Sequence, residues 1–434
     1  MVSGTGESDI TSEAHAHALD AADPLAPFRD RFYLPPDHVY LDGNSLGLLS
    51  REAEAETLVA LDQWRRLAIG GWLDADPPWF SLGEDLGAMT APLIGAEPAA
   101  VVVAGGTTVN LHALVSTFYR PLGARRRIVA TALDFPSDIY ALAAQIALRG
   151  GDPATNLVLV PASDGRTVDE AAIIAAFTDE VAMALLPSVL YRSGQLLDIP
   201  RLAAAARDRG ISLGFDCAHS IGIVPHQFDA WGVDWAVWCS YKYLNAGPGA
   251  IGGLYVNRRH WGQRPGLAGW WGYEKTRQFD MAFAWEGAAA AGAWQIGTPS
   301  LLAAAPLRGS LRLFAEAGMG QVRAKSLAQT GYLLDLLEAM GLTAPPYGYA
   351  IGSPREAARR GGHVAIEHPA AANIARALKT RGIVPDFRPP NVVRLAPVPF
   401  STRFHDLWLA VTALRAIIDQ GEHERGGGAR DLVA

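Results

Sequence analysis

Six apolar runs alternate with helix-forming segments between residues 100 and 240, and this alternation constrains the fold more than any other feature of the chain. The runs are AVVVAG, RRIVATA, NLVLVPA, VAMALLPS, ISLGFDCA and VDWAVWCS. Alanine- and leucine-rich stretches such as VNLHALVSTFY and IPRLAAAARDRG separate them. Unbroken apolar strands that alternate with helices predict an α/β fold, in which helices cover both faces of a mostly parallel sheet.

The sequence pattern is different on both sides of this alternating region. Residues 1–45 are predicted to be an N-terminal arm, irregular where proline and turn residues accumulate in DPLAPFRDRFYLPPDHVYLDGNSLG. Residues 46–305 form the predicted large domain, which starts with a serine-capped helix in SREAEAETLVALDQWRRLAI. Residues 306–422 alternate helices with short strands and indicate a smaller α+β domain, and residues 423–434 are predicted to be a flexible tail.

Composition argues against several classes of protein. Half of the 434 residues are hydrophobic, so the chain can bury a large core, and its net charge of -7 offers no basic face for nucleic acid or an anionic membrane. We expect neither export nor membrane insertion, because the opening residues are polar and no run of about 18 uncharged apolar residues occurs. With only two cysteines, the sequence favours a cytoplasmic protein with a small-molecule partner.

Polar residues follow several of the apolar runs, where ligands of a parallel sheet bind. In AGGTTVNLHAL, Thr107 and Thr108 can offer amides and hydroxyls to an anion at a helix N-terminus. An ordinary turn and helix cap fits this stretch equally well. In LDFPSD an aromatic ring precedes Asp138, a pattern that by itself is typical of a bare turn.

Two further strand ends carry groups that need partners. Asp216 closes the apolar run ISLGF and His219 follows it in DCAHS. A carboxylate there requires a cationic or proton-donating partner, although a helix N-cap is the simpler alternative. Lys242 in YKYLNAGPG follows the last apolar run. Lysines near helix ends are usually surface residues, but a lysine desolvated at a central strand can act as an amine nucleophile.

Together these four strand ends match the needs of pyridoxal phosphate. Its phosphate would lie at the helix N-terminus and its aldehyde would take the amine of Lys242. Asp216 would keep the pyridine nitrogen protonated, so that the ring accepts electrons from the substrate. The residues themselves therefore predict a pyridoxal phosphate enzyme.

A set of motifs occurs along the chain in a fixed order: YLDGNSLG (40–47), TTVNLH (107–112), FPSD (135–138), DCAHSIGIVP (216–225), YKYLNAGPG (241–249), GWWGY (269–273), GTP (297–299) and RLAPVPF (394–400). In this order they resemble the kynureninase family, which belongs to the aspartate-aminotransferase-like, fold type I, pyridoxal phosphate enzymes. The resemblance implies hydrolytic Cβ–Cγ cleavage of L-kynurenine, or of a ring-substituted kynurenine. The products would be the corresponding anthranilate and L-alanine, as in tryptophan catabolism.

The same resemblance implies roles for individual residues. Lys242, Tyr241 and Asp216 would be catalytic, with Tyr241 as a proton relay. The residues implied to hold the cofactor are Thr107, Thr108, Phe135, Ser137, Asp138, Asp216, His219, Tyr241 and Lys242, joined by Trp270 and Thr298 of the neighbouring subunit in a homodimer with shared active sites. The residues implied to contact the substrate are Arg394, at its carboxylate, and Asn44, Ser45 and Trp72.

The sequence departs from the family pattern near the substrate ring. Trp72 aligns loosely with a histidine of the animal enzymes, GWWGY replaces their GWFGH, and Thr298 replaces an asparagine. These changes leave the ring substituents of the substrate open, and with them the choice between a catabolic and a biosynthetic pathway.

Other functions remain as alternatives. Within the same fold, a cysteine desulfurase-like lyase would need a cysteine in a mobile loop, whereas Cys217 and Cys239 both lie in apolar runs. A non-catalytic binding protein would have no need of Lys242 or Asp216. The histidine motifs HAH (15–17) and FHD (404–406) each lack the further ligands of a metal site, so no metal is predicted.

Overall fold

The computed structural model describes residues 9–424, which form three β-sheets surrounded by α-helices. The strands are β1 Val39–Tyr40, β2 Val101–Val103, β3 Arg127–Thr131, β4 Leu157–Val160, β5 Val181–Pro187, β6 Ser212–Asp216, β7 Trp235–Cys239, β8 Gly252–Val256, β9 Ala350–Ile351, β10 Val364–Glu367, β11 Ile383–Val384, β12 Asp386–Arg388 and β13 Val392–Leu395. The helices are α1 Glu13–Ala21, α2 Arg51–Leu67, α3 Gly71–Asp74, α4 Leu82–Ile94, α5 Thr107–Phe118, α6 Pro136–Leu148, α7 Pro153–Asn156, α8 Glu170–Ala176, α9 Ile199–Asp208, α10 Phe228–Trp231, α11 Leu301–Ala317, α12 Met319–Ala339, α13 Ala371–Thr380 and α14 Phe404–Asp419.

A seven-stranded sheet forms the centre of the molecule, with strand order β2-β8-β7-β6-β5-β3-β4. Its pairs are parallel except those of β8, which is antiparallel to both β2 and β7. Side chains of one strand enter two different cores: Ala236 and Trp238 lie in one buried cluster, and Trp235 and Val237 in another. Because alternate residues of a strand point to opposite faces, the sheet is covered on both sides. The predicted mostly parallel sheet is confirmed, with the six apolar runs as β2 to β7.

Strand β8 was not predicted, because its sequence GGLYV begins with two glycines that break the apolar pattern. Both glycines are required by close neighbours. A Cβ on Gly253 would come within 2.4 Å of the Trp238 indole, and a Cβ on Gly252 within 3.1 Å of the backbone nitrogen of Thr107. The glycines therefore bring the start of α5 close to the sheet.

The capped helix predicted after the arm is present as α2. The side chain of Ser50 accepts a hydrogen bond from the backbone N–H of Ala53, Glu52 and Glu54 lie in the first turn, and Arg65 and Arg66 in the last. Acids at the start and bases at the end of a helix both complement its dipole. This helix packs against α11.

The arm was predicted without a helix, yet it contains α1, which packs against α14 near the end of the chain. The proline-rich part that follows is largely irregular, apart from the 3₁₀-helix Ala26–Arg31 and the two residues of β1. Strand β1 pairs in parallel with β11. Ala16 and Leu41 of the arm lie in the same buried cluster as Leu378 and Leu414. The two ends of the chain therefore share one core.

The smaller α+β region has an antiparallel sheet with strand order β12-β13-β10-β9. The predicted strands HVAIEH and VVRLAPVP are β10 and β13, and the predicted helices are α12 and α13. Helix α11 crosses the boundary proposed at residue 305, and the domain limits stay a prediction. Of the predicted tail, Glu422–Glu424 is a 3₁₀-helix and 425–434 lie outside the described residues. Between residues 9 and 424, no helix has the length and apolar character needed to span a membrane.

Candidate active site

The carboxyl ends of strands β3, β5, β6 and β7 and the start of α5 meet around one cleft of about 240 Å³. The predicted residues that line it are Thr107, Thr108, Phe135, Ser137, Asp138, Asp216, His219, Tyr241 and Lys242. They come from segments far apart in sequence, and parallel strands bring them together because their carboxyl ends share one edge of the sheet. The structure thus assembles nine of the predicted residues in a single pocket.

Two carboxyl groups, those of Asp138 and Asp216, line this cleft, and the carboxyl group of Asp134 lies near them. Asp216 ends β6, and one of its oxygens accepts a hydrogen bond of 2.8 Å from the backbone N–H of Ala218. Burial, reinforced by the neighbouring charges of Asp216 and Asp134, raises the pKa of Asp138 well above its usual value. Burial also raises the pKa of Asp134 to about 8. Burial therefore favours the protonated forms of Asp138 and Asp134.

Lys242 lies in the turn after β7, where its ammonium group meets a histidine. Its Nζ is 3.0 Å from Nε2 of His219 and about 6.0 Å from the ring centroids of Phe135 and Tyr241. Burial lowers the pKa of His219 well below its usual value, and the nearby positive charges of Lys242 and Arg394 add to this effect. His219 is therefore a neutral imidazole that holds the lysine amine within the cleft.

The opposite wall of the cleft is the N-terminus of α5. Gly106 is the N-cap and has no side chain to satisfy the first amides of the helix. Thr107 and Thr108 of this first turn line the cleft, and the amides at a helix N-terminus favour an anion. Gly252 supports this turn, because its N–H donates to the carbonyl of Gly105 over 2.8 Å.

Phe135 covers the cleft from the side and remains 43% exposed. Its ring meets that of Tyr191 edge to face, with centroids 5.4 Å apart. Tyr191 also lines the cleft but was not predicted, although it follows β5 in the same way as the predicted residues follow their strands. The sequence PSVLYRSG carried this signal, and so did Asp134 in LDFPSD.

Arg394 is fully buried beside the cleft rather than in it. It lies within β13, forms an ion pair with Asp386, and donates to the backbone carbonyl of Tyr191. Its Nη2 is also 3.4 Å from Oγ of Ser45. With its amide oriented to suit its neighbours, Asn44 accepts from the same guanidinium at 3.3 Å.

The loop that carries Asn44 and Ser45 also rests directly on the lysine turn. The backbone N–H of Gly47 donates to the carbonyl of Tyr241 over 2.7 Å, and a Cβ on Gly47 would clash with the carbonyl of Lys242 at 2.4 Å. Three of the four predicted substrate-binding residues, Asn44, Ser45 and Arg394, are therefore brought together next to the lysine.

Trp72, the fourth, lies in a separate aromatic cluster. Its ring contacts Trp271 at 5.2 Å and Trp79 at 5.7 Å between centroids. The ammonium of Lys275 lies 4.2 Å from the centroid of the Trp271 ring. None of these four residues lines the cleft around Lys242.

Trp270 and Thr298 are likewise outside the cleft of their own chain. Trp270 is 43% exposed and Thr298 is exposed. The segment between them carries further exposed apolar side chains, with Phe279 74% and Phe283 fully exposed. The structure therefore separates the predicted site residues into a set that lines the cleft around Lys242 and a set around Trp270 that lies outside this cleft.

This arrangement brings an amine, a carboxylate, a neutral imidazole and an anion cradle into one partly closed space. Tyr241 adds a phenol whose pKa is raised by burial, so that its hydroxyl keeps its proton and can donate it. The cleft can therefore hold an anionic group and a protonated ring nitrogen while an amine acts between them.

Comparison with known proteins identifies relatives of nearly equal length. The chain is 51% identical over 419 residues to a kynureninase of Geobacillus thermodenitrificans, covering 96% of this chain and 97% of that protein. It is 51% identical over 420 residues to a kynureninase of Bacillus anthracis and 48% identical over 425 residues to one of Shouchella clausii. These alignments cover 97% and 98% of this chain, and 97% and 99% of the respective proteins. Residues 322–414 match the family described as kynureninase C-terminal domain.

Solved structures share the fold at much lower identity. A cysteine desulfurase from Thermococcus onnurineus NA1 superposes with a TM-score of 0.75 at 16% identity and covers 91% of this chain and 98% of its own. A C-DES mutant with glycine covalently linked to its PLP cofactor gives 0.75 at 17% identity, covering 89% and 98%. These likenesses show the fold alone, that of fold type I. Because about half of its residues are identical to those of kynureninases along almost its entire length, the chain belongs to the kynureninase family.

Proposed function

We propose that the protein hydrolyses the Cβ–Cγ bond of L-kynurenine, or of a ring-substituted kynurenine, to the corresponding anthranilate and L-alanine. Pyridoxal phosphate is its cofactor. The observation that carries the proposal is the amine of Lys242 in a cleft between an anion cradle and Asp216, in a chain of the kynureninase family.

The cleft fits the cofactor at both ends. At one end, the uncapped first turn of α5 with Thr107 and Thr108 suits a phosphate. At the other, the carboxyl group of Asp216 lies beside Asp138, whose pKa is raised well above its usual value by burial, and this pair suits a positively charged ring nitrogen. Phe135 and His219 would flank the ring, and Ser137 and Tyr241 would complete the phosphate pocket. Bound through its aldehyde carbon, pyridoxal phosphate withdraws electrons from the α- and β-carbons of an amino acid.

Lys242 and Tyr241 would then move the protons of the reaction. The amine of Lys242 would remove the proton from Cα of the substrate. His219 keeps this amine in place, since its Nε2 is 3.0 Å from Nζ. The protonated phenol of Tyr241 would donate to the carbon released from the γ-carbonyl once water has added there.

Arg394 would hold the carboxylate of the substrate, with Asn44 and Ser45 on either side. A guanidinium can bind a carboxylate through two parallel hydrogen bonds. Arg394 already donates to Asp386 and lies 3.4 Å from Ser45, so the substrate would meet an arginine whose position is fixed.

The protein would act as a homodimer in which each active site uses residues of both chains. Trp270 and Thr298 are exposed and do not line the cleft of their own chain, which supports a role in the partner's phosphate pocket. The exposed Phe279 and Phe283 of the same segment form an apolar surface that a second subunit would cover. Burial of both free cysteines supports a cytoplasmic location.

Trp72, Trp271 and Thr298 do not line the cleft of their own chain, so the ring end of the substrate would meet this aromatic cluster and Thr298 of the neighbouring subunit. Such a wall has few partners for a ring hydroxyl, and an apolar pocket distinguishes an added hydroxyl by at most about a hundredfold. We therefore expect a modest preference for L-kynurenine, or an analogue with an apolar substituent, over 3-hydroxykynurenine.

Desulfurase activity has less support. Sulfur transfer requires an accessible thiol, whereas Cys217 and Cys239 are both buried and the chain has no other cysteine. Burial raises the pKa of Cys217 to about 12, so that its thiol is neutral at physiological pH. The desulfurase structures share only 16–18% identity with this chain.

The decisive experiment offers the purified holoenzyme L-kynurenine, 3-hydroxykynurenine and L-cysteine in separate reactions. We expect anthranilate and alanine from L-kynurenine, with a kcat/KM above that for 3-hydroxykynurenine. Alanine formed only from cysteine would contradict the proposed function. A preference of about tenfold or more for the hydroxylated substrate would contradict only the account of the ring pocket.

A further inference from the structure

Two histidine motifs from opposite ends of the chain meet on the surface of the molecule. The rings of His17 in α1 and His405 in the first turn of α14 are stacked, with centroids 4.3 Å apart and planes inclined by 21°. Oε1 of Glu13 lies 2.8 Å from Nε2 of His405 and 3.8 Å from Nε2 of His17. These three potential ligand atoms lie within 4.8 Å of one another. Each motif therefore supplies the ligands that the other lacks.

The helices determine where these side chains lie, and the side chain of His405 is held in one position. Glu13 and His17 are four residues apart on α1 and so lie on the same helix face. The backbone N–H of His405 donates to Asp20 over 3.1 Å, and its ring stacks on Trp408 at 5.8 Å. Nδ1 of His405 faces the interior, leaving Nε2 directed at Glu13. His405 is thus a preset ligand.

We propose that Glu13, His17 and His405 form a binding site for a divalent transition-metal ion, with Zn²⁺ the ion that this ligand set fits best. Two imidazoles and one carboxylate are a ligand set that zinc uses in proteins, with the fourth position open to water. The ion would connect the N-terminal helix to the C-terminal helix, remote from the lysine cleft and independent of the proposed reaction.

The distances are close to those of such a site. Zinc bonds of about 2.0–2.1 Å place tetrahedral ligands about 3.3 Å apart, and the observed separations of 2.8 Å and 3.8 Å lie on either side of that value. Both rings can bind one ion only if His17 turns out of its stacked position. Its side chain is 57% exposed, so solvent leaves it room to turn, whereas His405 is only 14% exposed and stays in place.

Bound metal would stabilise the contact between α1 and α14. An ion that binds only where α1 and α14 are docked adds its binding free energy to the folded state. The melting temperature should therefore rise with the zinc concentration, and α1 should become harder to cleave with protease.

The experiment uses the full-length holoenzyme, stripped of metal with a chelator and titrated with Zn²⁺ at about pH 7.5, where imidazoles are neutral. Stoichiometry is measured by equilibrium dialysis with metal analysis, and the melting temperature is followed in parallel. We expect one zinc ion per chain. His17→Gln, Glu13→Gln and His405→Gln should each weaken binding by at least about tenfold, since even groups behind a ligand contribute that much.

His15→Gln is the matched control, since His15 lies on the same helix with its ring against Tyr332. This variant should bind zinc and gain stability like the unmodified chain. His405→Gln could disturb the folding of α14. His17→Gln still tests the site in that case, because His17 is exposed. Zinc binding that is unchanged in His17→Gln, or lost in His15→Gln, would overturn the site. Binding without any rise in melting temperature would overturn its role as a link.

Discussion

The two sets of predicted active-site residues differ in where the fold places them relative to the cleft. Around Lys242, side chains from five segments line one cleft, and the amine of Lys242 meets His219 of the same chain. Around Trp270, the chain leaves aromatic and apolar side chains exposed and outside that cleft. The difference suggests that one chain builds the part of the site that acts on the substrate, whereas the other part is completed by a second subunit.

Loss of the lysine should have the largest effect. We expect Lys242→Ala to lower kcat by on the order of a thousandfold or more while the fold is retained, because no other amine of residues 9–424 lines the cleft. Steady-state kinetics with L-kynurenine measures the effect. Lys242→Arg, which keeps the positive charge but not the nucleophile, should be equally inactive. Substantial activity in either variant would contradict the role of Lys242.

The carboxylate at the end of β6 should have the next largest effect. Asp216→Asn should reduce kcat by on the order of a hundredfold, since it removes the negative charge that stabilises a protonated ring nitrogen. Asp134→Asn is the matched control: the pKa of Asp134 is raised to about 8, so its carboxyl is already neutral at pH 7. Equal losses of kcat in the two variants would mean that burial, rather than charge, matters at this position.

The buried arginine should affect substrate binding more than cofactor binding. Arg394→Lys loses the paired hydrogen bonds of the guanidinium, worth about 1.5 to 3 kcal/mol, and KM should rise by about tenfold to a hundredfold. Spectrophotometric titration with pyridoxal phosphate gives the affinity for the cofactor, which should change much less. A larger change in cofactor affinity than in KM would reject the proposed contact with the substrate carboxylate.

Part of this account could be predicted from the sequence, for a local reason. An apolar run followed directly by Asp216 or Lys242 reports a strand and its end within a few residues, and the parallel sheet then brings the ends together. Contacts between distant segments leave no such pattern. Ser45 contacts Arg394, and α1 packs on α14. The partners in each of these contacts are separated by most of the chain. Strand β8 was missed because glycines required by Trp238 and Thr107 interrupt its apolar pattern.

The smallest expected effect concerns stability at low pH. Burial lowers the pKa of His226 to about 3, and its Nε2 is 2.8 Å from Oγ of Ser220. The unfolded chain takes up a proton near pH 6.5 whereas the folded chain does not, so the stability from this group is present above that pH and is lost as pH falls toward 3. Each pH unit in this window should cost about 1.4 kcal/mol.

His226→Asn should therefore make the free energy of unfolding less dependent on pH. Urea midpoints at about pH 7 and about pH 5.5 measure this dependence. His38→Asn, at an exposed position, controls for the loss of a histidine. An unchanged pH dependence in His226→Asn would show that other groups dominate acid unfolding.

The contrast between the two regions is tested most directly by mixing two inactive variants. Lys242→Ala and Trp270→Ala, allowed to exchange subunits in equal amounts, would form hybrid dimers with one intact site, built from the lysine of one chain and the tryptophan of the other. About half of the dimers would be hybrids with one of two sites intact, so about one quarter of the normal activity should return. Lys242→Ala mixed with Asp216→Asn should show no activity beyond the residual activity of Asp216→Asn, because both residues line the cleft of one chain. Confirmed subunit exchange with no recovery of activity in the first mixture would contradict the shared active site.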